Sequence, residues 1–153
     1  MTTTSIQSLL LLFVTLSSFG CSTVYNKRWE AAAEKPINQE SLEGTWIGRW
    51  HSEPSGHQGD LRCIISKSET DDGLYDLSFW AQWKIFSARF QVAVLTSQNQ
   101  GIHQFEGSKN LGRLAGGLYT FKGQSDGTNF NASYDSRFDQ GTFNLQRSQH
   151  VHE

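Results

Sequence analysis

From Leu42 onward, turn clusters recur at intervals of roughly 10 to 14 residues with no helical run between them, a spacing that folds as an antiparallel all-β meander. The clusters are EPSGHQGD, ETDDG, SQNQG, KNLG, QSDG and SRFDQG, with Asp72-Gly73 and Asp126-Gly127 as the strongest hairpin signals. Between clusters, apolar and polar residues alternate with the period of a strand. Leu61, Cys63 and Ile65 share one face, and Tyr75, Leu77, Phe79, Ala81, Trp83 and Ile85 line one face of the next run. The parity then flips to Phe86, Ala88, Phe90, Val92 and Val94, which requires a tight connection near Trp83 to Phe86 that no Gly or Pro marks. Ala115, Gly117, Tyr119 and Phe121 form a further face, as do Phe130, Ala132, Tyr134 and Phe138. The last run, GTFNLQR, puts Phe143, Leu145 and Arg147 on one side. This gives about eight strands in roughly 105 residues, a count at which a sheet can close and remove its edges. The predicted fold class is all-β, a single antiparallel up-and-down barrel over residues 41–148.

The amino terminus reads differently. MTTTSIQSLLLLFVTLSSFGC holds an apolar run from Ile6 to about Leu16, shorter than the roughly 20 residues that span a bilayer. It fits the hydrophobic region of an export signal over residues 1–20. SSFGC resembles the end of a bacterial lipoprotein signal, which implies lipidation of Cys21 and membrane attachment through that lipid. Ordinary cleavage after Gly20 is the alternative. Ser22 is not the acidic residue associated with inner-membrane retention, so a periplasmic or cell-surface location is expected. Residues 21–40 read as a tether. Its helix-prone centre, Arg28 to Lys35, has Asn26 as a cap and Pro36 as a stop. Residues 149–153, including HVHE, read as a disordered tail.

The stretch LEGTWIGRW carries Trp46 and Trp50, each two residues after a glycine. As a helix, Gly44 and Gly48 would each cost about 1 kcal/mol relative to Ala, so the stretch reads as a strand with both indoles on one face. GTW in a first strand, an eight-strand meander and a terminal arginine together resemble the calycin barrels: lipocalins, fatty-acid-binding proteins and avidins. The resemblance implies that Trp46 plugs the closed end and Arg147 lies over it as a cation–π cap. It also implies that Gly44 bends the chain under the floor, and INQESLEG could supply a short helical turn there. The lipocalin disulfide pattern and second signature are absent. LAGGLYTFKG and YDSRFDQGTF resemble uncharacterised bacterial lipoproteins, which implies no activity.

Trp50, Cys63, Phe79, Trp83, Phe90, Tyr119, Phe121 and Tyr134 are the candidate lining of the interior. Small barrels either fill themselves or hold one small ligand, and both readings stay open here. The first makes the protein an interaction module with no ligand and no catalysis, acting through loops or an exposed aromatic such as Trp80. The second makes it a carrier of a small apolar ligand. No catalytic residue, metal site or cofactor is assigned. His51 faces opposite Trp50, away from the interior, and the carboxylates Asp71, Asp72, Asp135 and Asp139 sit in turns expected to be solvated. Cys63 reads as a small buried hydrophobe or, in an unlipidated chain, a disulfide partner of Cys21. NLGRLAGG reads as a barrel corner with close backbone approach. A net charge of −2 without a block of like charges argues against a nucleic-acid partner, and a protein partner is not specified.

Overall fold

Eight strands follow one another along the chain: β1 (Gly44–Ser52), β2 (Gln58–Lys67), β3 (Leu74–Trp83), β4 (Phe86–Asn99), β5 (Ile102–Asn110), β6 (Leu118–Ser125), β7 (Asn129–Asp135) and β8 (Gln140–Arg147). The computed structural model describes residues 24–113 and 117–148. Cys21, the signal stretch, Ala115 and the tail lie outside the described residues. Each strand pairs antiparallel with the next, and β1 pairs with β8 from Trp46↔Arg147 to Ser52↔Gly141, so the sheet closes into a barrel. Among the described residues one helix, α1 (residues 24–33), precedes the barrel.

Alternation decides what the barrel encloses. Trp46, Cys63, Phe79 and Phe90 are successive register partners across β1 to β4, and all four point inward. The next row, Ile47, Arg62, Trp80 and Arg89, lies on the outer wall. Leu61, Ile65, Leu77, Val92, Val94, Phe105, Phe121, Phe130, Phe143 and Leu145 complete the core. Each such side chain contributes about 1.5–3 kcal/mol relative to exposure.

The parity flip is resolved by a two-residue turn, Lys84-Ile85, with Trp83 opposite Phe86. Lys84 adopts φ 52°, a conformation that usually asks for Gly or Asn, and the Gln82 side-chain amide donates to its carbonyl at 3.1 Å. Ile85 therefore belongs to a turn, 89% exposed, and not to the inner face of β3. Phe138 is likewise in the β7–β8 turn and exposed, because β7 ends at Asp135. Gly117 lies in the loop before β6. Gly112 and Gly117 there have positive φ and open space around them, so that corner needs left-handed backbone and not close approach.

Close approach occurs instead inside strands. At Gly48 a Cβ would fall 2.0 Å from the Asn144 carbonyl oxygen, so the β1–β8 seam closes only without a side chain there.

α1 is more than a tether. It already includes Val24 and Tyr25, ahead of Asn26, and Tyr25 and Trp29 form an i, i+4 pair, 6.3 Å between ring centroids, that packs on the outer wall. Tyr25 donates to the Ser78 carbonyl at 3.4 Å, and Arg28 donates to the Ser78 hydroxyl at 3.2 Å. The Arg62 guanidinium lies between two indoles, 5.6 Å from the Trp29 ring centroid and 5.2 Å from that of Trp80. Ile64 and Ser78, on the outer face, are buried in consequence. No helix of the described residues is long and apolar enough to cross a membrane.

Candidate functional site

The floor is built from the two ends of the barrel domain. Trp46 is fully buried; its indole N–H donates to the Leu42 carbonyl at 3.0 Å, and its ring packs on Phe130 at 5.7 Å. The Arg147 guanidinium carbon stands 4.3 Å from the Trp46 ring centroid. Its N–H groups donate to three main-chain carbonyls: Gly127 at 2.5 Å, Glu43 at 2.6 Å and Ser41 at 2.6 Å. One cation thus ties the β6–β7 turn and the segment before β1 to the end of β8. Burial pushes the Arg147 pKa down, and the carbonyls with the indole face supply the negative potential that keeps the charge in place. Gly44 has φ 128°, and a Cβ there would stand 3.1 Å from Arg147 Nη1. INQESLEG crosses under the floor as a turn and not as a helix, with Leu42 fully buried beneath Trp46. His103, unassigned from sequence, is buried there with its Nε2 3.0 Å from the Glu40 carbonyl oxygen.

Above the floor the interior is an aromatic stack. Phe143 is its hub, at 4.9 Å from Tyr134, 5.3 Å from Phe79, 6.2 Å from Phe121 and 6.4 Å from Phe90. Phe105 stacks on Phe130 at 4.5 Å. The space left among these rings, Val92 and Val94 is about 10 Å³. A single water needs about 10–15 Å³, so the described interior is filled. Of the sequence-derived lining residues, Cys63, Phe79, Phe121 and Tyr134 are buried, and Trp50, Phe90 and Tyr119 are half-buried against them. Burial pushes the Cys63 thiol well above the ordinary range, away from nucleophilic use. Trp83 stands at the mouth, packed against a tilted His57 ring at 4.5 Å, with Lys84 Nζ 4.8 Å from its ring centroid. The Trp50 indole donates to the Gln82 carbonyl at 3.1 Å. Phe105, Phe130 and Phe143 are interior rings that the sequence-derived lining set omits. Phe143 shares the parity of Leu145 and Arg147, which was the available signal.

At the open end, Asp139 is drawn into a network and not left solvated. Ser52 donates to its Oδ1 at 2.7 Å, Tyr134 to its Oδ2 at 3.2 Å, and Ser55 to the Ser52 hydroxyl at 2.8 Å. The β7–β8 turn folds the carboxylate back over the rim, where the Ser136 hydroxyl accepts from its backbone N–H at 3.1 Å. Burial, then Asp139, raises the Tyr134 pKa, so the phenol stays a donor. The Ser52 hydroxyl bonds a carboxylate and a second hydroxyl, an arrangement that pins loops together. Larger concavities lie outside the barrel, one of about 830 Å³, open and lined by polar side chains such as Gln104, Lys122, Asn131 and Asn144.

Set against protein-family models, curated proteins and solved structures, the chain matches none of them.

Proposed function

We propose that this chain is an exported, lipid-anchored envelope protein whose barrel, calycin-like in plan, works through its surface as a protein-interaction module. The observation that carries the reading is the filled interior: rings at 4.9–6.4 Å around Phe143 leave space for about one water molecule, so a small apolar ligand has no room inside. Export and attachment rest on the apolar run ending in Cys21. The calycin plan is supported by eight strands in meander order and by the Arg147–Trp46 stack at the floor. The proposal includes no chemistry at the barrel. Cys63 is sealed in the core, and the Ser52 hydroxyl has a carboxylate and a second hydroxyl as partners.

Native mass spectrometry of the protein purified from its own cell envelope tests this reading. The expected mass is that of the mature chain plus its lipid, with no small-molecule adduct. A retained apolar molecule that is lost on unfolding would overturn it in favour of a carrier.

A further inference from the structure

Among the described residues, exposed apolar side chains gather at one end of the barrel. The mouth is ringed by the β1–β2, β3–β4 and β7–β8 turns and by the segment before β6. On that rim Ile85 is 89% exposed, Phe138 64%, Phe86 63% and Leu118 58%. The other exposed large hydrophobics lie singly: Val24 and Ile37 on the chain before the barrel, Ile47 and Leu95 on the outer walls. Cations stand among the rim residues. Lys84 and Arg137 share the turns of Ile85 and Phe138, and each lies over a ring, Lys84 Nζ 4.8 Å from the Trp83 centroid and the Arg137 guanidinium carbon 5.1 Å from that of Phe138. Lys109, near the end of β5, and Arg113, just beyond it, are exposed as well. Most carboxylates at this end are already engaged. Glu53 accepts from Gln140 at 2.8 Å, Asp139 from Ser52 and Tyr134, and Asp60 bridges Arg49 at 3.2 Å, while Asp135 faces outward at the end of β7. Apolar tips flanked by long basic side chains and an indole form the layer that suits a bilayer interface. The tips enter the acyl boundary, the cations stay with the phosphates, and the indole sits at headgroup level.

The point of attachment to a bilayer lies within reach of this rim. Cys21 precedes Val24 by three peptide steps, so its α-carbon is at most about 11 Å away, whatever course the chain takes. The start of α1 is fixed to the barrel by Tyr25 and Arg28, both bonded to Ser78. Ser78 stands five residues below Trp83 on β3. That is about 17 Å along a strand, or about 13 Å along the axis of a barrel whose strands tilt by about 40°. A lipid on Cys21 therefore enters a bilayer that the rim touches, with no long linker to hold the barrel clear.

We propose that the mouth rim is a membrane-contacting surface, and that its occupant is the phospholipid bilayer holding the Cys21 lipid. Ile85, Phe86, Leu118 and Phe138 dip into the headgroup–acyl boundary. Lys84, Lys109, Arg113 and Arg137 meet anionic phosphates. Contacts on three separated loops call for one flat partner, which a bilayer supplies. The barrel stands mouth-down and keeps its floor and outer walls open to a protein partner. The inference rests on lipid attachment at Cys21 and adds the orientation which that attachment imposes. The rim alone holds the protein too weakly to keep it on a membrane once the lipid is gone.

The test is amide NMR of the full protein purified with its lipid and placed in bilayer nanodiscs of phosphatidylethanolamine and phosphatidylglycerol that carry a headgroup spin label. Broadening should be strongest at Lys84–Phe86, Leu118 and Arg137–Phe138, and absent at the floor turns Asp72-Gly73 and Asp126-Gly127. Ile85→Ser with Phe138→Ser, both on exposed turns, should lose the rim broadening while the strand resonances stay unchanged. Lys84→Glu with Arg137→Glu should do the same, and discs of phosphatidylcholine alone should weaken the broadening in the unsubstituted protein. Equal broadening of rim and floor turns, broadening centred on the floor or on the β6–β8 wall, or no response to either pair of substitutions would each overturn the proposal. So would a dimer joined through the rim, seen as protection of the Ile85 and Phe86 amides without broadening. Mass spectrometry of the same preparation reads the lipid independently. A chain found without lipid refutes anchoring in the cell; coupled through Cys21 to a maleimide-bearing lipid in the same discs, it still reports whether the rim meets the bilayer.

Discussion

Replacing Trp46 and Arg147 singly and together probes the contact that closes the barrel floor. Trp46 is fully buried, so Trp46→Ala empties the floor and should cost about 3–5 kcal/mol, a large part of the roughly 5–15 kcal/mol that holds a domain together. Trp46→Leu retains part of the volume and keeps a measurable native state. Arg147→Lys keeps the charge but not the planar fork that reaches the carbonyls of Ser41, Glu43 and Gly127. Leaving even one of those acceptors without a partner costs about 1–3 kcal/mol. The stacked geometry, 4.3 Å from guanidinium carbon to ring centroid, adds a coupling of about 0.5–2 kcal/mol between the two side chains. Urea unfolding followed by far-ultraviolet circular dichroism on the four proteins of the Trp46→Leu, Arg147→Lys cycle gives that coupling directly. A coupling of at least about 0.5 kcal/mol is expected; additivity within about 0.3 kcal/mol would show that the stack carries no energy and that Arg147 acts through its carbonyl bonds alone.

Cys21→Ala should move the protein from the membrane to the soluble envelope fraction; sedimentation with membranes after that change would contradict lipid anchoring. Trp29→Ala should release α1 from the Arg62–Trp80 surface while the barrel stays folded, read as faster tryptic cleavage at Lys27 and Arg28 with an unchanged β spectrum. The Asp126 carboxylate is held at about 2, below its ordinary 3.8, first by the Asn129 backbone N–H, then by the Asn129 side-chain amide and the Thr128 N–H. A lowered folded-state value contributes stability above the unfolded pKa that is lost as pH falls through the folded one. The native state should therefore lose stability between about pH 4 and pH 2, and Asp126→Asn should flatten that part of the profile; an unchanged slope would refute the assignment. In the Cys21→Ala protein, Cys63 should react with a thiol reagent only at the rate of unfolding; fast labelling of the native protein would mean that the core is open.

Much of the barrel was legible because alternation and turn chemistry are local. Leu61, Cys63 and Ile65 reveal their shared face by spacing alone, and Asp126-Gly127 announces its turn by residue type. Four features were not legible for physical reasons. Ile64, Ser78 and Trp80 sit on the outer face, which reads as solvent-facing until α1 covers it, and nothing in the strand sequence reports a helix packing from upstream. The Lys84-Ile85 turn pairs a residue without the usual left-handed preference with a side-chain amide, Gln82, that supports it, a contact outside turn statistics. The opening of the sheet between β4 and β5, which pair only from Val94 to Asn99, is a matter of strand divergence: Phe86–Ala93 has the same alternation whether or not that edge finds a partner. A carboxylate in a turn, such as Asp139, reads as solvated, and only the fold of the turn brings it onto Ser52 and Tyr134.

The central claim is that the interior is filled and the function lies on the surface. NMR of the protein under pressurised xenon, an apolar probe that enters dry cavities, tests it most directly. The side-chain resonances of Phe79, Val92, Val94 and Phe143 should show no saturable shift in the unsubstituted protein. Phe143→Ala, which removes the hub of the stack, should make the same resonances respond. Saturable shifts of these core resonances in the unsubstituted protein would contradict the claim and return the barrel to the class of ligand carriers.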